Sequence, residues 1–301
     1  MLSDINAGTR DYIISIDSEM YEKVENEALG KILDLKWDEA IKNDIKETLE
    51  LSKIQEDRII QAARKYSALF ECRVNAKVYE DSFEIPMKII ENELQVLSQQ
   101  LHSLSILFKN ENYKKYLSHI RRLSHSIRWS WENRLVPISV MAHLVIVATL
   151  SYFIAHIENR NYSDLKKILY TALYHDIPEA ITGDIISPVK NSIKWFAEVI
   201  EKAETKMLDD YLFCFVDEIY KEFISPFMLH PFEDEIWKLV KHADILSALY
   251  EAKIEVLFGN VRDYESICHK LEEKLISVNL KSIHYLLKNW LLEFNEKNIV
   301  Q

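Results

Sequence analysis

An all-α fold is what this chain predicts, on three observations. Its 301 residues include only four glycines and six prolines, too few for a protein of sheets and tight turns and suited to long helices with short connections. Apolar residues recur at helical spacing in most segments between those glycines and prolines. Residues of hydrophobic type make up 48% of the chain, enough at this length to bury a large core as one domain or two modest ones.

Charge and cysteine usage narrow the class of function. With 48 acidic against 37 basic residues and a net charge of -11, the chain repels a nucleic-acid backbone, and no nucleic-acid partner is expected. A small phosphorylated ligand needs only a local basic patch. Cys72, Cys214 and Cys268 are odd in number and widely spaced, so neither a disulfide framework nor a zinc knuckle is predicted, and a reduced, cytoplasmic setting is expected. The opening Met-Leu-Ser-Asp-Ile-Asn lacks the basic and apolar regions of an export signal. The longest apolar run, Met141 to Ile157, contains His143 and His156 and is shorter than the roughly 20 residues that span a bilayer. It reads as a buried core helix, and no membrane association is expected.

In chain order, residues 18–60 read as two or three amphipathic helices, with Val24, Leu29, Ile32 and Leu33 at helical spacing. Residues 57–80 form a stronger helix, and Glu91 to Phe108 a connecting one. The polar stretch Lys109 to Lys115 is the predicted boundary between an N-terminal region, 1–108, and a second region, 109–301. Residues 113–130 are predicted as a helix ending near Arg128 and Trp129, followed by a loop through Pro137 and a long helix from Ser139 to His156. Asn161-Tyr162-Ser163-Asp164 has the chemistry of a helix N-cap. The helix it starts runs into Tyr174-His175-Asp176. A long helix from Ser192 to Asp217, one from Phe232 to Phe258 and two C-terminal helices complete the expectation.

The helix near residue 60 returns later. Ala63, Ser67, Ala68, Leu69 and Glu71 recur as Ala243, Ser247, Ala248, Leu249 and Glu251, a constant shift of 180. At the same shift Asp4-Ile5 falls on Asp184-Ile185. This register reads as an internal duplication in which the first copy is partial. That copy has Arg64 where the second has Asp244, so it is expected to be catalytically silent.

Chemistry concentrates in the seventeen residues from Tyr174 to Lys190, which hold His175, Asp176, Glu179, Asp184 and Lys190. The adjacent His175-Asp176 pair gains meaning from His143 upstream and Asp244 downstream, each in an apolar helix where an unpaired polar group is costly. Two imidazoles and two carboxylates suit a divalent ion such as Co, Mn, Fe, Zn or Mg and leave coordination positions open. Glu179 follows Asp176 by three residues, so in a helical turn both carboxylates project to one side. Arg128 offers a planar fork for a phosphate.

His143, His175-Asp176 and Asp244 resemble the H...HD...D metal signature of the HD-domain phosphohydrolases. Over residues 113 to about 275 the sequence is similar to the YfbR-like 5'-deoxynucleotidases. The run His-Asp-x-x-Glu-x-x-Thr-Gly-Asp-x-x-x-Pro-Val-Lys stands here as His175 to Lys190, and Arg128-Trp129 lies fifteen residues before the first metal His. The resemblance implies an HD-domain helical bundle with an additional N-terminal region resembling a degenerate partial repeat. It implies one divalent ion on His143, His175, Asp176 and Asp244, with Glu179 positioning or deprotonating water. By the same resemblance Asp184 faces the substrate, helping acid–base chemistry or bonding a sugar hydroxyl; Trp129 packs on deoxyribose, and Lys190 is a weaker phosphate contact.

The implied activity is metal-dependent hydrolysis of (deoxy)nucleoside 5'-monophosphates to nucleoside and phosphate, with a nucleotide as the small-molecule partner. The N-terminal region, which single-domain relatives lack, implies either a homo-oligomer or an intrachain pseudo-dimer. The chain departs from the family at Ala142 and Leu144, where Glu and Ser often flank the first metal His. Two alternatives stay open from sequence: hydrolysis of nucleoside triphosphates or cyclic dinucleotides at the same site, and a nucleotide-binding or regulatory module with little turnover.

Overall fold

A computed structural model describes residues 13–34, 39–50, 55–183 and 194–291. Among these there is no strand, only an isolated antiparallel bridge between Ile127 and Ser139. The helices, in order, are α1 (Ser18–Leu33), α2 (Glu39–Glu50), α3 (Gln55–Asn75), α4 (Glu80–Ser98), α5 (His102–Lys109), α6 (Glu111–Arg121), α7 (Val140–Ile157) and α8 (Tyr162–Tyr174). They continue as the short α9 (Glu179–Thr182), then α10 (Lys194–Tyr211), α11 (Glu218–Leu229), α12 (Lys238–Leu257), α13 (Val261–Ile276) and α14 (Lys281–Leu286). The all-α expectation holds.

The chain divides into two compact units, residues 1–64 and 65–301, with α3 running through the division. In the first unit α1 starts at Asp17, whose side chain accepts a hydrogen bond from the Met20 N–H at 2.8 Å and satisfies one of the free donors of the first turn. Tyr21 and Ile41 are its buried anchors. Ile32, read from the sequence as part of an apolar stripe, is 46% exposed.

In the second unit, ion pairs Lys65–Glu93 and Arg73–Glu91 join α3 to α4, and Glu71–Arg121 joins α3 to α6. The centre is made by α7, α8, α12 and α13. Two helical hairpins with short connections, α7–α8 and α12–α13, pack together along α7 and α12. Sequence chemistry sets the hairpin ends. Ser139 accepts from the Ala142 N–H at the start of α7, and Asn161 accepts from the Asp164 N–H at the start of α8.

A core of Tyr116, Leu123, Val140, Leu144, Ile177 and Leu208 packs with Ile224 and Met228, drawing α6, α7, the turn before α9, α10 and α11 around one side of the bundle. Each fully buried aliphatic side chain here contributes about 1.5–3 kcal/mol. Helix α7 is apolar and long enough to cross a membrane by length and composition, but half of it is buried within the protein and it carries His143 into the interior.

Several boundaries differ from the sequence expectation; the helix predicted over 57–80 ends with α3 at Asn75, and the one predicted from Phe232 starts as α12 at Lys238. The helix predicted over 113–130 is α6, which ends at Arg121 and runs on only as a 3-10 turn at Arg122–Ser124. Beyond it the Ile127–Ser139 bridge takes the backbone: the Arg128 N–H donates to the Ile138 carbonyl and the Val140 N–H to the Ser126 carbonyl. Arg128 and Trp129 therefore sit on a loop.

The helix predicted over 192–217 is α10 followed by a 3-10 turn at Phe213–Phe215 and a separate α11. Asp217, read as a helix end, is the N-cap of α11 and accepts from the Tyr220 N–H. The predicted connecting helix over 91–108 is the end of α4, a break at residues 99–101, and α5.

Candidate metal and phosphate site

Four elements deliver the site. His143 enters from the first turn of α7, and Asp244 comes from the second turn of α12. His175 is the C-cap of α8, with its N–H on the Thr171 carbonyl. Asp176 follows in a tight turn closed by the Glu179 N–H on the Asp176 carbonyl at 3.1 Å, so the predicted one-turn relation of the two acids is present. Gly183 ends α9 with φ +74, in the region that favours glycine. Asp184 and Lys190 lie outside the described residues.

His143, His175 and Asp176 each present one ligand-type atom within 4.8 Å of the others. Asp244 joins from the α12 side, with Oδ1 3.3 Å from His143 Nε2, while Asp176 Oδ2 lies 3.5 Å from the same nitrogen. Asp176 Oδ1 is 3.4 Å from His175 Nε2.

The two rings are oriented from behind. His175 Nδ1 lies 3.0 Å from the Ala172 carbonyl, which can only accept, so Nδ1 carries the proton and Nε2 turns its lone pair inward. His143 Nδ1 lies 3.2 Å from Glu251 Oε1 and 3.0 Å from Ser247 Oγ. The Glu251 carboxylate accepts that proton's hydrogen bond and leaves Nε2 of His143 facing the carboxylates. Both Nε2 atoms are buried without an aligned hydrogen-bond partner.

Two bare imidazole nitrogens converging with two carboxylates fit a divalent ion. The electrostatics agree with that fit. Burial opposes charge on His143, but the carboxylates of Asp244, Glu251 and Asp176 outweigh it and raise the ring's pKa, so this point favours a cation. Burial likewise pushes the Asp176 and Asp244 carboxyls up, yet the facing cationic groups hold both below the usual carboxylate range.

Arg128 reaches across the mouth of this group. Its Nη1 is 3.2 Å from Asp176 Oδ2, its Nη2 is 3.9 Å from Asp244 Oδ1, and its Nε is 3.4 Å from Glu251 Oε1. Burial opposes its charge, and Glu251, Asp176, Asp244 and Glu179 together more than restore it. Trp129 has φ +56, a left-handed conformation rare for an aromatic residue and costing on the order of 1–3 kcal/mol. It stacks on Tyr264 at 5.7 Å and on Trp131 at 6.4 Å. The structure thus brings together His143, His175, Asp176, Asp244, Arg128 and Glu179.

Sequence reasoning missed the layer behind them. Glu251 and Glu255 are fully buried on α12, and Arg134 from the loop is 4% exposed at its side chain. Arg134 pairs with Glu251 at 3.1 Å and Glu255 at 3.2 Å and donates to the Arg128 carbonyl at 3.2 Å. Glu255 also accepts from the Leu135 and Val136 N–H groups and from Asn260. One signal was available: Ser247 and Glu251 follow Asp244 by three and seven residues, on the same helical face.

A crystal structure of an HD-domain phosphohydrolase from Listeria innocua superposes with a TM-score of 0.54 at 19% identity, over 62% of this chain and 90% of that one. The fold is that of the HD-domain phosphohydrolases. The sequence pattern of the YfbR-like 5'-deoxynucleotidases matches residues 115–294. The 5'-deoxynucleotidases YfbR of Shigella boydii and of Escherichia coli are each 28% identical to it over 188 residues, 60% of this chain and 92% of theirs. The chain belongs to the YfbR-like 5'-deoxynucleotidase family, and it is a hydrolase of the metal-dependent phosphohydrolase class.

Proposed function

We propose that this enzyme is a 5'-nucleotidase that hydrolyses (deoxy)nucleoside 5'-monophosphates to nucleoside and phosphate. The observation that supports it most is the convergence of His143, His175 and Asp176 within 4.8 Å, with the Arg128 guanidinium beside them. His143, His175, Asp176 and Asp244 would hold one divalent ion. Bound there, such an ion supplies Lewis acidity toward a phosphoryl oxygen and lowers the pKa of a bound water.

The chain's own groups do the rest. Arg128 would present its two Nη groups to the phosphate, with the Glu251 carboxylate 3.4 Å behind its Nε balancing the charge. Glu179 sits one turn from Asp176, where its carboxylate takes a proton from the attacking water. Water adds across the ester: its oxygen ends on phosphorus and a proton ends on the leaving 5'-oxygen. Trp129, stacked on Tyr264 and Trp131, keeps the packing role on the sugar that the resemblance implies. Asp184 and Lys190 keep the roles that the resemblance implies, on the sugar hydroxyl or acid–base step and on phosphate. In this reading the catalytic domain is 109–301, which encloses the family match at 115–294, the N-terminal region has no metal site, and the enzyme works in the cytoplasm.

The test is a panel of nucleoside mono- and triphosphates and cyclic dinucleotides with Co, Mn, Mg and Zn salts, followed by product analysis. Orthophosphate and nucleoside released from monophosphates, and lost in Glu179→Ala, are expected. Pyrophosphate or triphosphate as the product, or no turnover with any metal, overturns the reading.

A further inference from the structure

The buried charges behind the site come in matched sets. Arg128 and Arg134 carry two positive charges, and Glu251 and Glu255, both fully buried, carry two negative ones. These four neutralise one another. Lys241, 3.3 Å from Asp244 Oδ2, and Glu179, whose charge acts on Arg128, add one charge of each sign. The carboxylates of Asp176 and Asp244 are then left over, and their summed charge is that of a divalent ion with the sign reversed.

Glu251 is the member of this set that touches both halves of the site. It accepts from His143 Nδ1 at 3.2 Å, faces Arg128 Nε at 3.4 Å and pairs with Arg134 Nη1 at 3.1 Å. Because Glu251 is fully buried, its loss leaves these partners uncompensated.

We infer that Glu251 is a positioning residue that sets the charge balance of the ion site. It absorbs the Arg128 and Arg134 charges and keeps Nε2 of His143 bare, so that Asp176 and Asp244 remain available to a divalent cation. This rests on the metal reading above. It assigns the family's metal and phosphate groups a shared buried partner, one helical turn behind Ser247 on α12.

The experiment titrates Co2+ into the full chain by calorimetry, with the visible d–d spectrum of Co2+ as a second readout. Four proteins are compared: wild type, Glu251→Gln, Arg134→Met and the double variant. Glu251→Gln keeps the shape and an acceptor for His143 but removes the charge. Its Kd for Co2+ rises about 10–100-fold. Removing Arg134 as well takes away the unbalanced positive charge, so the double variant binds Co2+ more tightly than Glu251→Gln alone. A network that serves only packing gives the opposite order, with the double variant the weakest.

Arg134→Met alone is expected to tighten Co2+ binding, which gives an independent reading if Glu251→Gln does not fold. Wild-type Co2+ affinity in Glu251→Gln, or a double variant weaker than it, overturns the inference. Weakened binding in Arg134→Met does so too. Wild-type protein that takes up no Co2+ at all overturns the metal reading instead.

Discussion

Helices α3 and α12 share five residues at one register, and they put them to different use. On α12, Ser247, Ala248, Leu249 and Glu251 are all buried. On α3, Leu69 is buried at 1% exposure, but Ser67 is exposed and Glu71 is only half-buried. Glu71 has the better pair geometry: Arg121 Nε and Nη2 donate to its two carboxylate oxygens at 2.6 and 2.7 Å, against 3.1 to 3.4 Å for the arginines on Glu251. Burial, rather than distance, decides which carboxylate matters. An exposed ion pair exchanges with water at little cost, while a buried one cannot be broken without stranding a charge. The same residues become a surface clamp in one helix and the back wall of the proposed metal site in the other.

The largest expected difference between the helices is catalytic. Asp244→Asn lowers phosphate release at least about 10²-fold, beyond what loss of a supporting group costs, while Arg64→Ala at the matching position on α3 leaves it unchanged. Steady-state kinetics with a deoxynucleoside monophosphate checks both. On the same assay Glu179→Gln lowers kcat about 10²–10⁴-fold with the fold intact.

Stability separates the two glutamates next. Glu251→Ala costs about 3–5 kcal/mol, because it leaves Arg128 and Arg134 short of a buried partner, and Glu71→Ala costs about 0–1 kcal/mol. Urea unfolding measures both. Equal costs would break the contrast drawn from burial.

The serines give a finer comparison. Ser247→Ala removes a hydroxyl 3.0 Å from His143 Nδ1 and costs about 0.5–1.5 kcal/mol, whereas Ser67→Ala stays within about 0.5 kcal/mol of wild type.

The smallest effect is in pH dependence. The Arg121 hydrogen bond, opposed by slight burial, lowers the Glu71 pKa below its unfolded value. Its stabilisation is therefore full above the unfolded pKa and lost as pH falls through the folded one. The stability difference between wild type and Glu71→Gln should shrink on acidification in that range and be flat near neutrality.

Much of this architecture could be read from local chemistry. Scarce glycine and proline gave the helices, the Asn161 cap gave the start of α8, and the apolar run after the Pro137 loop gave α7 to within a residue of its start. The His175-Asp176 pair with His143 and Asp244 pointed to the proposed ligand set, whose side chains the fold brings together, because a polar group in an apolar helix demands a partner. What escaped depends on contacts distant in sequence. The local pattern around Arg128 and Trp129 is helical, but the bridge from Ile127 to Ser139 and the left-handed Trp129 take them off the helix. At Asp217 the local chemistry is ambiguous, since an acid after a helix serves equally as the cap of the next one. Glu251 and Arg134 were invisible as a pair because 117 positions separate them.

The central claim is that one α12-built centre per chain binds the ion and that α3 builds none. Counting bound divalent ions per chain tests it most directly, by equilibrium dialysis and metal analysis of wild type, Asp244→Asn and Arg64→Asp. One ion in wild type, a loss in Asp244→Asn and no gain in Arg64→Asp are the predicted results. Full-affinity binding by Asp244→Asn, or a second ion in Arg64→Asp, would contradict the claim.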